Sequence, residues 1–231
     1  MMLDAAGWAA LQLSLLVGVT ATLIGVPLAT WVAWLLARGT FFGKAALNAL
    51  VHLPLVLPPV VTGYLLLILF GRAGPVGRFL EDTLGLVFAF RWTGAALAAL
   101  IMAFPLMVRA IRLAIEAVDP GLEAAARTLG ASSMGVFRTV TLPLILPGIL
   151  AGGVMGFAKA IGEFGATITF VANIPGQTQT LPSAIYALLQ VPGGEAAAAR
   201  LVIWACVLAL AAVVLSEWLA RRVARRIAGT P

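Results

Sequence analysis

Residues 119–143 read DPGLEAAARTLGASSMGVFRTVTLP, a polar stretch set between two long apolar ones. It is too polar to cross a bilayer, yet it carries the signals of a short, firmly bounded helix. Asp119 can cap the first free amides, and Pro120 suits the first helical position. Residues 122–129 are rich in helix formers, and Gly130 can take the left-handed conformation that ends a helix. At about 1.5 Å per residue the spacing predicts a rod on the order of 15 Å long, lying outside the membrane. Leu122, Ala125, Ala126 and Leu129 share one side at helical spacing and are small enough for a groove on another protein. A surface helix packed on its own chain is the other reading of the same residues.

The composition around this stretch sets the class. Of 231 residues, 62% are hydrophobic and only 10% charged, and the mean hydropathy is +1.07. A water-soluble domain of this size could not bury so much apolar surface, so the chain reads as an all-α polytopic membrane protein. The length leaves room for about five or six spans in a single transmembrane domain, residues 1–231. A formal charge of +6 would suggest nucleic acid in a soluble protein. Here most Lys and Arg flank the apolar runs, where they orient the chain in lipid. The first basic residue is Arg38, so no cleavable signal peptide is expected. The single cysteine, Cys206, leaves no intrachain disulfide.

Five spans are expected, over residues 8–36, 47–70, 92–112, 144–172 and 201–219. Pro54, Pro58 and Pro59 remove backbone donors from the second and require it to bend. Arg38, Lys44, the basic residues between 109 and 138, and the tail arginines 221, 222, 225 and 226 place one side in the cytoplasm. The N-terminus then lies outside and the C-terminus inside. Residues 113–143 form a cytoplasmic loop and residues 173–200 an external one, with a short interfacial or re-entrant helix within 181–190. Arg72, Arg78, Arg91 and Arg200 fall on the outer side against the bias.

Inside the fourth span, Gly148, Gly152 and Gly156 form a smooth stripe at which another helix can approach closely. That partner is either a helix of the same chain, or a second copy or pore across the stripe. Lys159 and Glu163, four residues apart in an apolar run, belong in the protein interior or against water. They read as a mutual ion pair holding the helix in register, or as groups beside a translocation path. His52 precedes the proline-rich bend and fits a hydrogen-bonded residue. One His and one Cys make no metal site, and no catalytic residues are predicted. No glycine run leads into Gly-Lys-Ser/Thr, so the chain is not expected to hydrolyse ATP.

The 119–143 stretch resembles the cytoplasmic coupling loop of ABC-importer permeases, which runs Glu-Ala-Ala, three residues, Gly, nine residues, Ile, one residue, Leu-Pro. Aligned on Gly130 it gives Ala125, Ala126, Val140 in the Ile place, Leu142 and Pro143, with the carboxylate one residue early at Glu123. That offset rotates the side chain by about 100° around the helix. Further stretches are similar to permease subunits of bacterial molybdate transporters: RGTFFGK (38–44), HLPLVLPPVVTGYLL (52–66), FPLMVRAIRL (104–113), AARTLG (125–130), GEFGATITF (162–170) and NIPGQTQTLPSAIYALLQVPGG (173–194).

The resemblance implies a type I importer fold working as a homodimer. Two cytoplasmic ATPase subunits would carry ATP and Mg, and a periplasmic protein would deliver molybdate or tungstate. This chain would bind no cofactor and no nucleic acid, only its partners and membrane lipid. Glu123, Ala125, Ala126, Arg127, Leu129 and Gly130 would serve the coupling to the ATPase. Pro58, Pro59, Gly152, Gly156, Lys159, Glu163, Phe164 and Gly165 would serve the path or its packing. A sulfate or thiosulfate permease shares the Glu-Phe-Gly region. A stand-alone channel or carrier would have no use for a rigid docking helix, and a membrane enzyme would need a catalytic constellation that is missing here.

Overall fold

The computed structural model describes residues 3–227, which are helical with short connections. In chain order the elements are α1 (Ala5–Arg38), α2 (Lys44–Val56), α3 (Pro59–Phe70), α4 (Pro75–Leu84), α5 (Trp92–Glu116), α6 (Pro120–Thr128) and α7 (Ser133–Val136). A π-helical turn, Phe137–Thr141, then leads into α8 (Leu142–Ile161), followed by α9 (Gly165–Val171), α10 (Leu181–Leu189) and α11 (Glu195–Ile227). Among the described residues four helices are long and apolar enough to cross a membrane, or five if the bent α2–α3 pair counts as one.

The centre of the bundle is α5, held between α1 and α8. Its alanines 95, 98, 99 and 103 are fully enclosed, because a surface without bulky side chains lets neighbouring backbones approach. The neighbours return the fit. A methyl group on Gly25 of α1 would meet Leu100 and Met107, and one on Gly152 of α8 would lie 3.0 Å from Ile111 and 3.2 Å from the Met107 carbonyl. Larger side chains, among them Met107, Ile111, Ile115 and Ile145, fill the remaining space and are buried. A smaller cluster joins the start of α1 to α10 and α11 through Ala10, Leu11, Leu181, Ala184 and Leu201. There Ser14 Oγ accepts a 2.7 Å hydrogen bond from the Leu181 amide. The outer surface is apolar, with Leu23, Trp31, Leu210 and Val214 exposed, as a surface facing lipid rather than water would be.

Side-chain contacts give the direction of each pass. Arg38 at the end of α1 reaches the carbonyls of Ile115 and Val118 at the end of α5, so these two helices run parallel. Arg112 bonds Asn48 near the start of α2, while Phe70 at the end of α3 packs edge-on against Phe88, just before α5. The α2–α3 pair, although folded by 117° at Leu57–Pro58, therefore carries the chain from one end of the bundle to the other. Successive glycines of α8 climb α5 from Ala114 to Met107, and Val171 at the end of α9 meets Gly94 near the start of α5. Leu201, early in α11, packs by Gly7 at the start of α1.

Several boundaries differ from expectation. The second span is two separate helices rather than one bent helix, because Pro58 and Pro59 stand side by side at the break. The fourth is also interrupted: α8 ends at Ile161 and α9 begins at Gly165, with Glu163 buried in the gap. The expected 201–219 run is longer, as α11 starts at Glu195. The side chains of its four tail arginines lie outside the described residues. The short helix expected within 181–190 is α10, whose Leu181, Ser183 and Ala184 are buried against the bundle.

Candidate functional site

Helix α6 stands at the end of the bundle where α1 and α5 finish and α8 begins. Asp119 Oδ1 accepts a 2.8 Å hydrogen bond from the Gly121 amide, and Pro120 occupies the first turn. At the other end Gly130 sits at φ 87°, where an added side chain would strain the backbone, and the chain leaves the helix. Ser132 then caps α7 through the Gly135 amide. This succession of stops makes α6 a short rod anchored at both ends.

Its two faces differ. Leu122 is 50% and Leu129 89% exposed, with Ala125 and Arg127 exposed beside them and Ala126 half-buried. Two large apolar side chains on a rod outside the bundle are costly in water and have a use once covered by a partner. Glu123 points the other way. It is only 7% exposed, accepts a 2.9 Å hydrogen bond from Thr141 Oγ1, and lies 3.5 Å from the Arg38 guanidinium. The carboxylate thus ties α6 to its own chain rather than lying on the exposed side with Leu122 and Leu129. The one-residue shift from position 124 to 123 accounts for this by rotating the side chain about 100°.

The second group gathers where the two broken helices meet. Lys159 Nζ donates to Glu163 Oε2 at 2.7 Å, and Glu163 Oε1 accepts from the Ala166 amide at 3.0 Å. The buried carboxylate therefore neutralises a lysine on α8 and satisfies a free amide at the start of α9. Lys159 keeps about a third of its side chain exposed, 32% against 1% for Glu163. Exposed Ala151, Met155, Ala158 and Gly162 lie on the same side of α8. A methyl on Gly165 would lie 2.7 Å from Pro59 Cβ, and one on Gly63 would meet the Ala166 backbone, so the α3 and α9 chains touch here. Pro58 and Pro59 are exposed at this junction. Phe164 reaches Tyr186 of α10 with ring centroids 5.1 Å apart.

Gly148, Gly152 and Gly156 do not share that open face. All three pack on α5 of the same chain, against Ala114, Ile111 and Met107. His52 Nδ1 lies 2.9 Å from the Asn48 carbonyl, within its own helix. Among the described residues no cluster of His, Cys, Asp and Glu could hold a metal ion. Sequence reasoning missed the anchoring roles of Arg38 and Thr141. Arg38 was legible only as an orienting charge, and Thr141 became visible once the π turn brought it under α6.

This arrangement of helices matches solved transporters. The chain superposes on a bacterial ABC transporter involved in the import of the acidic polysaccharide alginate with a TM-score of 0.76, at 20% identity, over 95% of this chain and 80% of that one. The fold is that of a type I ABC-importer permease. The chain belongs to the family described as binding-protein-dependent transport system inner membrane component, whose model matches residues 25–229. It is 60% identical over 222 residues to the molybdenum transport system permease protein ModB of Escherichia coli, covering 96% of each. The corresponding protein of Haemophilus influenzae is 56% identical over 218 residues, 94% of this chain and 95% of that one.

Proposed function

We propose that this chain is the permease subunit of an ATP-driven importer that moves molybdate, and tungstate with it, across the bacterial cytoplasmic membrane. It works as a pair of identical copies with the path between them. Each α6 docks into one of two cytoplasmic ATPase subunits, and a periplasmic molybdate-binding protein delivers cargo to the opposite end. The N-terminus is external and the C-terminus cytoplasmic. ATP with its Mg is bound on the ATPase subunits, and this chain contributes no nucleotide site or bond-making step of its own.

The observation that carries the coupling role is α6, a rod capped at both ends that presents Leu122 and Leu129 outward. The likeness to molybdenum permeases along almost the whole length supports the cargo. Transport follows if ATP and the loaded delivery protein bind the inward-open and outward-open bundles with different affinity, so that each shifts the balance between them. The face bearing Lys159, Met155, Pro58 and Pro59 lines the path. Glu163 already neutralises Lys159, so the dianion meets no deep well and can leave.

The test is copurification of the tagged permease with its ATPase, followed by hydrolysis assays with the delivery protein. Stable association, and stimulation by molybdate well above that by sulfate, are the expected results. A permease that associates with no ATPase contradicts the importer, and stimulation by sulfate alone contradicts the cargo.

A further inference from the structure

Four elements are joined through three side chains beneath α6. The Arg38 guanidinium, at the last residue of α1, donates to the carbonyls of Ile115 at 3.3 Å and Val118 at 3.0 Å, at the end of α5. It also lies 3.5 Å from Glu123 Oε1, in the first turn of α6. The same carboxylate oxygen accepts from Thr141 Oγ1 at 2.9 Å, and Thr141 closes the π turn that opens α8. Thr141 is wholly buried, and the Arg38 and Glu123 side chains are 24% and 9% exposed. Just above, Trp34 of α1 packs edge-on against Phe137 of the π turn, centroids 5.3 Å apart.

We propose that Arg38, Glu123 and Thr141 form an internal latch through which α6 moves α1, α5 and α8 as one body. The three are positioning residues for transport, a role that rests on the importer reading above. Helix α6 is joined covalently to α5 by residues 117–119 and to α7 by residues 129–132, where Gly130 holds a positive φ. Each connection is a single strand of backbone, so side-chain contacts decide how firmly α6 is held to the other helices. The latch supplies charge-assisted bonds in an enclosed setting, where such bonds are stronger than in water.

The latch also has room to tighten. The guanidinium and carboxylate are 3.5 Å apart rather than in full hydrogen-bonding contact. Arg38 Nε is buried with no hydrogen-bond partner. Closing that gap would add a direct bond between the two charges, whereas widening it would leave them under-paired. Such an element has two unequal states that a docked partner can bias.

The experiment uses the assembled permease and ATPase in a Cys206→Ser background, with Met155→Cys on the open face of α8 as a reporter. Maleimide reactivity is measured with and without ATP, and hydrolysis is measured on the same samples. The parent is expected to change its labelling rate at least threefold on adding ATP. Glu123→Gln, Arg38→Met and Thr141→Val are expected to assemble and hydrolyse ATP within about twofold of the parent yet lose most of that change. Arg38→Lys should recover part of it and Thr141→Ser nearly all.

An ATP response equal to the parent's in Glu123→Gln and Arg38→Met overturns the latch, as does a parent with no response. Loss of assembly in all three disrupting variants, with no recovery in Thr141→Ser, also overturns it, by showing a role in folding alone. Molybdate uptake by the parent is scored separately. Its absence refutes the cargo while the labelling result stands.

Discussion

Lys159 and Glu163 are paired 2.7 Å apart in a setting that exposes one and encloses the other. Removing the lysine leaves a buried carboxylate uncompensated, at a cost of about 3–5 kcal/mol, whereas removing both charges costs less. Lys159→Met and Glu163→Gln are each expected to lower expression and assembly, with the double variant partly restored. Molybdate uptake should survive in the double variant with its preference over sulfate intact. Normal assembly without transport in Lys159→Met, and a dead double variant, would mean that the lysine acts on the anion itself. At the outward face of α6, Ala125→Trp adds a large side chain where a partner must fit. It is expected to abolish copurification with the ATPase while the thermal unfolding of the permease alone shifts little. The four-residue spacing of Lys159 and Glu163 made their pairing legible in the sequence. The direction of Glu123 was not, because nothing local shows that Thr141 lies eighteen residues on and directly opposite.

At the scale of elements, α8 and α5 touch through glycine and alanine. A Cβ added at Gly152 would lie 3.2 Å from a backbone carbonyl, which cannot yield as a flexible side chain can. Gly152→Leu is expected to destabilise the permease by about 1–3 kcal/mol or more through overpacking, read as a lower melting temperature. Gly162→Ala, whose added methyl meets nothing closer than 3.6 Å, should change it little. The ends of α6 could be read from Asp119, Pro120 and Gly130, since each acts on its own backbone. The break after Ile161 could not, because residues 144–172 are apolar apart from one charged pair. It depends on Glu163 bonding the Ala166 amide and on Pro59 pressing against Gly165, contacts that exist only once α3 and α9 meet.

Across the whole molecule, charge and contact agree on which residues share an end. Arg38, Arg112 and Glu123 lie together where α1 and α5 finish, and Gln177 follows α9 at the other end. In a Cys206→Ser background, Leu129→Cys is expected to react only with reagent reaching the cytoplasm, and Gln177→Cys only with external reagent. The reverse pattern would invert the topology. What tests the importer most directly is uptake into sealed proteoliposomes holding the permease and its ATPase, with ATP on the ATPase side and the molybdate-binding protein on the other. Molybdate should accumulate against its gradient only when ATP and the binding protein are both present, and sulfate should not. Equal molybdate flux without ATP would show a passive channel and contradict the account.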